Sequence, residues 1–318
     1  MYLFKSGIIL KDRVFIPDYD NYADMFKELN IDGNPENTKP IFVRVELIPQ
    51  DNNVFSDIAT WRFNVNQDIV PDWFVKDYEK ERMITAVKEW AKSRIYIGVD
   101  GLELSTGANY YLKDCNDIIL TGNVNIAMLK SSTVRLMCDS TIVEKMCDSS
   151  TVGVMWDSSN IREMCDSSTV REMWDSSNIR EMNDSSIVEK MWDSSTVGVM
   201  RQRSIVEKML QGSTVRDMRD SSTVRLMCDN STVETMWESS IVGVMSGSSN
   251  IREMWGSSTV REMRDSSIVS IQNNLFSKGI KQDSIILCDN AVIKDSRTKT
   301  IYHSGDWKLV LIENSEIR

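Results

Sequence analysis

Few side chains in this sequence are equipped for bond chemistry. His303 is the only histidine, so a catalytic triad, a two-histidine metal site or a proton relay would have to run through it. It reads instead as a surface residue. The six cysteines, Cys115, Cys138, Cys147, Cys165, Cys228 and Cys288, form no C-x-x-C pair and have no histidine near them for a zinc set. A reducing, cytoplasmic compartment suits them best, although stacking of Cys147 over Cys165 would let that pair bond in air. The chain has no G-x-S-x-G, no phosphate-cradling G-x-x-x-x-G-K-[ST] and no G-x-G-x-x-G. Asp139, Asp148, Asp157, Asp166, Asp175, Asp184 and Asp193 recur every nine residues. Nonapeptide calcium rolls pair such a row with Gly-Gly-x-Gly turns whose carbonyls also ligate, and those glycines are missing here. The row is therefore assigned to corners, where Asp and Ser bond the backbone one or two residues ahead. An ice-binding hydroxyl lattice is excluded by the Arg, Glu and Lys that share the Ser-Thr strands. No catalytic residue, metal or cofactor is expected.

Tryptophan is the stronger pointer. Trp156, Trp174 and Trp192 are eighteen apart, as are Trp237 and Trp255, and the same slot holds Arg201, Arg219, Asn183 and Ser246 elsewhere. A slot that accepts Arg, Asn and Ser is not deep core, and indole rows beside arginine are the composition of recognition surfaces. The competing role is an aromatic ladder that only stabilises stacking.

The element that must position these rows is a repeat. Sixteen of the nineteen methionines, Met128 to Met263, are spaced nine apart without a slip, in a unit that reads Met-x-Asp-Ser-Ser-Thr-Val-x-x. From Met137 onward, Val or Ile sits three residues before each Met, and Ser, or Thr at Thr141, sits two before that. Nine residues are too few for a repeat of two helices, and Ser-Thr-Val is strand chemistry. The unit is one strand plus one corner, with Val, Met and Ser inside. Along the slot after each Met, identities number 1 of 15 at a lag of nine, 5 of 14 at eighteen and 1 of 13 at twenty-seven. Like residues stack on like in coiled sheets, so two units make one coil of a two-sheet β-solenoid. Duplication contributes to the same statistic, because 131–181 resembles 221–270 at an offset of 90.

The expected fold is mainly β, with a small α+β capping or docking domain over 1–96 and a solenoid over 97–318. The regular repeats run 128–271 and make a rod of about 38 Å at ~4.8 Å per stacked strand. Irregular end coils fill 97–127 and 272–318, from Leu102, Leu104, Tyr110, Leu112, Ile118, Leu120, Val124 and Ile126 upstream and from Ile285–Val292 and Trp307–Ile312 downstream. In the first part, 41–48 and 60–65 alternate as strands. Asn21 to Leu29 reads as a short helix, and Asp72 caps a second helix over 73–93 with Tyr78, Met83, Val87 and Trp90 on one face.

Charge narrows the partners. The chain carries 37 basic and 47 acidic side chains, net −10, which argues against direct nucleic-acid binding. The block 128–271 has 16 basic and 21 acidic residues, net −5, far sparser along the rod than a duplex with one charge per ~1.7 Å. An acidic mimic that inhibits a nucleic-acid-binding host enzyme is thus an alternative that needs a one-sided charge distribution. No apolar run reaches the ~18 residues of a membrane helix, and the opening residues lack a leader's apolar stretch, so a soluble, unexported protein is expected.

Units such as Met173-Trp-Asp-Ser-Ser-Asn-Ile-Arg-Glu181 resemble nonapeptide tracts of uncharacterised proteins from gut bacteria and their phages. In architecture only, they are similar to pentapeptide-repeat β-solenoids, some of which are duplex mimics. The resemblance implies a solenoid scaffold, and a duplicating repeat with a variable outer row suits a phage or bacterial protein that tracks a changing partner. The expectation is a non-enzymatic rod that binds a protein partner, with assembly into filaments or virions, or oligomerisation through the first domain or the solenoid ends, as further possibilities.

Overall fold

The computed structural model describes residues 4–31, 40–271, 286–287, 292–295, 300–303 and 310–311. These divide into one unit of Met1–Ile97 with Ala108–Tyr111, and a second of Gly98–Gly107 with Leu112–Arg318. Tyr110, read from sequence as part of an initial coil, therefore lies in the first unit.

The first unit is built on a four-stranded antiparallel sheet, β1 (Lys5–Leu10), β2 (Val14–Phe15), β3 (Phe42–Ile48) and β4 (Arg62–Val65), in the order β2-β1-β3-β4. Alternation along β1 sends Ile9 to one face and Ile8 to the other. Ile9 joins Val43, Val45, Leu47, Trp61, Met83 and Val87, while Ile8 joins Met25 and Phe42. Helix α1 (Tyr22–Leu29) begins where the Asn21 side chain accepts from the Ala23 N–H at 2.9 Å and ends on left-handed Asn30. The longer helix, α2, spans Lys76–Ala91, starting later than expected and without a capping side chain. Pro71 closes a turn with the Phe74 N–H at 3.0 Å, and Trp73 and Phe74 pack on the core from that turn rather than from the helix. Tyr78 is 64% exposed, so it does not belong to the buried face. Glu79 takes that place because Arg82 holds its carboxylate at 2.8 Å and also donates to the Leu10 carbonyl at 3.2 Å. Opposite charge within one helical turn makes the buried acid tolerable.

The second unit is a parallel β-solenoid of about 10 turns with ~18 residues per coil. Within the regular repeats each strand pairs with the next but one in sequence: Thr151–Met155 lies between Thr133–Met137 and Thr169–Met173, and Asn160–Met164 lies between Ile142–Cys147 and Asn178–Met182. Two sheets result, each in register Val on Val and Met on Met. We refer to the sheet containing Thr151–Met155 as the first and that containing Asn160–Met164 as the second. Val, Met and Ser are all buried, from Ser132 to Ser267 and from Val134 to Met263. Burial of each such Val or Met side chain is worth about 1.5–3 kcal/mol, which is why the triplet recurs.

One feature exceeds simple alternation. Val and Met are three apart, an odd spacing that would put them on opposite faces of a regular strand. The ladder therefore skips the residue after Val: Val152 pairs with Val170, then Val154 with Glu172, leaving Gly153 and Arg171 without a ladder pair while the register is kept. This irregularity turns two consecutive side chains outward and brings Met back inside, as a bulge does.

The corners differ from the expected local Asx turn. In each, the residue after Met accepts from an N–H three residues on, as Trp156 does from Ser159 at 3.2 Å. The Asp between them has positive φ, as at Asp157 (56°) and Asp166 (58°), and Gly247 and Gly256 occupy the equivalent position. Asp tolerates the left-handed region better than most side chains. At several corners its carboxylate reaches back one whole coil instead of ahead along the chain. Asp166 accepts from the Asp148 N–H at 3.0 Å, Asp184 from Asp166 at 3.2 Å and Asp220 from Gln202 at 2.9 Å, and the Gln202 amide and Glu238 carboxylate fill the same role.

Upstream, the strand Ile118–Lys130 bends to join both sheets, pairing with Thr133–Met137 through its first half and with Ile142–Cys147 through its second. Downstream, Val292–Asp295 continues the parallel stack on Ile268–Ile271. Thr300–His303 then pairs antiparallel with it, and Val310–Leu311 antiparallel with that strand. The last segment, expected as a degraded coil over Trp307–Ile312, is thus an antiparallel addition where it is described. Most of Ile285–Val292 and Cys288 fall outside the described residues.

Candidate functional site

From Met137 onward, the slot after each Met forms one row along each corner of the solenoid; at the expected start of the regular repeats, Leu129 rather than Met128 pairs with Met146 and is buried. One row runs Cys138, Trp156, Trp174, Trp192, Leu210, Cys228, Ser246 and Arg264, following strands of the first sheet. The other runs Cys147, Cys165, Asn183, Arg201, Arg219, Trp237 and Trp255, following strands of the second. The two tryptophan groups therefore lie on opposite corners, with Arg201 and Arg219 beside the shorter one.

The indoles stack. Trp174 and Trp192 have ring centroids 4.9 Å apart at 9°, and Trp237 and Trp255 5.2 Å apart at 11°, while Trp156 meets Trp174 at 6.4 Å and 51°. Spacing near the ~4.8 Å of stacked strands permits parallel rings with no backbone adjustment. Exposure is uneven: Trp156 is 48% and Trp237 37% exposed, each the first of its stack, whereas the others are half-buried. For Trp174 and Trp255 the residue two before the ring contributes. Glu172 accepts from the Trp174 indole N–H at 3.1 Å and Glu253 from that of Trp255 at 3.2 Å, folding those rings against the sheet. Trp156 has Val154 there, with no acceptor to offer. Trp192 has Lys190, a donor, and its buried indole N–H has no partner. Glu172 also holds Lys190 at 2.9 Å, and that hydrogen bond keeps its carboxyl below the usual range.

The arginines are partly engaged. Arg219 pairs with Asp217 at 3.0 Å, and the Nε atoms of both Arg201 and Arg219 are buried without a partner. On the flat faces, charges alternate between coils: Lys145–Glu163 at 3.2 Å, Arg162–Glu144 at 3.1 Å, Arg225–Glu207 at 3.2 Å and Arg252–Glu234 at 3.4 Å. Each joins residues eighteen apart, so the faces are neutralised locally rather than segregated by sign.

Among the described residues, the groups of three potential metal donors within 4.8 Å of one another are Cys147, Cys165 and Asp166, and Cys138, Asp139 and Asp157. Neither offers the six to eight oxygens of a calcium site. The eighteen-residue spacing already stacks Cys147 with Cys165; the approach of Asp166 to that pair, and of Asp157 to Cys138 and Asp139, shows only in the fold. Burial and Asp139 push the Cys138 thiol up to about 11.

The fold and its rows define a β-solenoid repeat protein. No protein-family model matches the chain, nor does any curated protein or solved structure.

Proposed function

We propose that the solenoid is a non-enzymatic interaction scaffold that binds a protein partner through the Trp156–Trp174–Trp192 row, with Trp237, Trp255, Arg201 and Arg219 forming a second surface on the other corner. The observation that carries this reading is the half-exposed Trp156 at the head of a stack whose other rings are held by neighbouring coils. An indole fixed before binding loses little freedom on contact, the property of an interface anchor. Asp157, Asp175 and Asp193 follow the three indoles directly in sequence, so the complementary surface is apolar with basic groups at its rim, where cations meet both carboxylate and ring. Alternating ion pairs across the faces support this reading over duplex mimicry, which requires acidic groups in excess on one side.

The test is capture from host lysate by the intact chain and by a variant with Trp156, Trp174 and Trp192 all replaced by Ala, at low and high salt. Loss of a specific partner from a variant that keeps its β circular dichroism, at both salts, supports recognition by the row. Undiminished capture overturns it, and capture that survives the substitutions but is released by salt moves mimicry to first place.

A further inference from the structure

Cys147 and Cys165 occupy the same slot in consecutive coils of the second sheet, each directly after a methionine of the in-register pair Met146 and Met164. Stacked strands hold such residues ~4.8 Å apart, inside the ~4.4–6.8 Å Cα separation that a disulfide spans. Both are 7% exposed, and their sulfurs lie within 4.8 Å of each other. The Cys165 Sγ lies 3.6 Å from the Met146 carbonyl oxygen and the Cys147 Sγ 3.8 Å from that of Leu129. We infer that Cys147 and Cys165 form a peroxide-sensitive dithiol that closes into a disulfide clamping one coil to the next.

The surroundings assign the roles. The Cys147 thiol is lowered by a hydrogen bond from Cys165, with Lys130 and Lys145 assisting against burial and Asp148, while Cys165 is raised by that same bond and by burial. Lys145 is itself raised, against burial, by the two sulfurs and Glu163. Asp166 lies against Cys165 at 3.6 Å and favours its neutral form. Cys147 is thus the attacking thiolate and Cys165 the resolving thiol. The Cys147 sulfur attacks one oxygen of hydrogen peroxide, the O–O bond breaks, and a sulfenic acid and one water form. The Cys165 sulfur then displaces the sulfenic oxygen as a second water. Two thiols and one peroxide give one disulfide and two waters, with both electrons passing to peroxide oxygen. A small oxidant suits a pair this buried. Cys138 and Cys228 occupy the slot on the other corner, five coils apart, so neither has a thiol at the stacked position of an adjoining coil.

Trypsin separates the pair, cutting after Lys145, Arg162 and Arg171 into peptides 146–162 and 163–171. Native full-length protein treated with hydrogen peroxide is expected to yield these two peptides joined, two hydrogens lighter than their sum, as the dominant cross-link. Protein oxidised in urea is expected to scatter its cross-links over all six cysteines. Cys165→Ser should leave Cys147 as a sulfenic acid that a dimedone probe traps, and Cys147→Ser should leave Cys165 untrapped at the same exposure. A native cross-link pattern identical to that in urea, or no joined peptide, overturns the inference. Zinc protection of both thiols from alkylation, together with no joined peptide in zinc-free protein, would reassign the pair as a ligand set and also overturn it.

Discussion

At the residue scale, the corner aspartates reconcile two demands that are met separately in most turns. The backbone there needs a positive φ, and the exposed N–H of the coil before needs an acceptor; one carboxylate of the right length answers both. Gly247 and Gly256 satisfy only the first demand, Gln202 and Glu238 both. Asp184→Asn should accordingly shift the urea midpoint little, because an amide oxygen can take the Asp166 N–H as Gln202 takes that of Asp184. Asp184→Ala should cost about 1–2 kcal/mol, the sum of a lost hydrogen bond and a left-handed alanine. Equal losses for the two substitutions would contradict the inter-coil role. The Asp spacing was plain in the sequence, but whether its carboxylates bond forward or back one coil depends on which strand lies beside the corner. The same dependence bears on Trp156 and Trp174: they share one repeat slot, yet Glu172 accepts from the Trp174 indole while Val154 offers Trp156 no acceptor, and Trp156 is the more exposed.

At the element scale, the solenoid strands were legible because a strict nine-residue spacing has only one way to bury Val, Met and Ser together. All five identities at a lag of eighteen, Cys147/Cys165, Trp156/Trp174, Trp174/Trp192, Arg201/Arg219 and Trp237/Trp255, are stacked neighbours in the structure. The inter-strand skip after Val was also implicit in the odd Val-to-Met spacing, yet local alternation hides it. The first unit was less legible. The strand β1, with Lys5 and Ser6 buried beside Gly7, lacks an alternating pattern; its lysine is housed by Asp20 at 3.1 Å and by the Trp90 ring at 4.9 Å. That polar cluster extends to Asp18, which accepts from Arg94 at 2.7 Å and from the Trp90 indole at 3.2 Å. Hydrogen bonding from Arg94 holds the Asp18 carboxyl below its ordinary 3.8. Its contribution to stability is therefore complete above that value and is lost as pH falls further, through the lowered folded-state value. Amide exchange in α2 should be faster in Asp18→Asn than in the parent at pH 7, and the two should converge in acid once the lowered Asp18 carboxyl is protonated in the folded state. A difference that persists unchanged into strong acid would refute the Arg94 coupling.

At the scale of the whole solenoid, both sheets bury the same Val-Met-Ser triplet in the same register, so a segment has no intrinsic preference for either side. Deleting the eighteen residues 193–210 should leave every later row on its present corner. Removing only the nine residues 202–210 should preserve a folded β-solenoid but carry Trp237 and Trp255 across to the corner of Trp156. Cysteines substituted for Trp192 and Arg219 would report the change: they lie on opposite corners of the parent and become stacked neighbours after the nine-residue deletion, where they should cross-link. Failure to cross-link in a folded deletion variant would show that the two sheets are not interchangeable. The side on which any residue emerges is thus set by parity, the odd or even number of nonapeptides between it and a reference. Trp237 is nine units from Trp156 and faces away; Gly243 is ten from Gly153 and shares its sheet, whereas Gly198, five away, does not. A copying event that adds an even number of units lengthens the rod and keeps its surfaces, and one that adds an odd number moves a whole downstream pattern to the opposite side while the buried triplet keeps its register. Such a chain can exchange its two faces by changing its length alone.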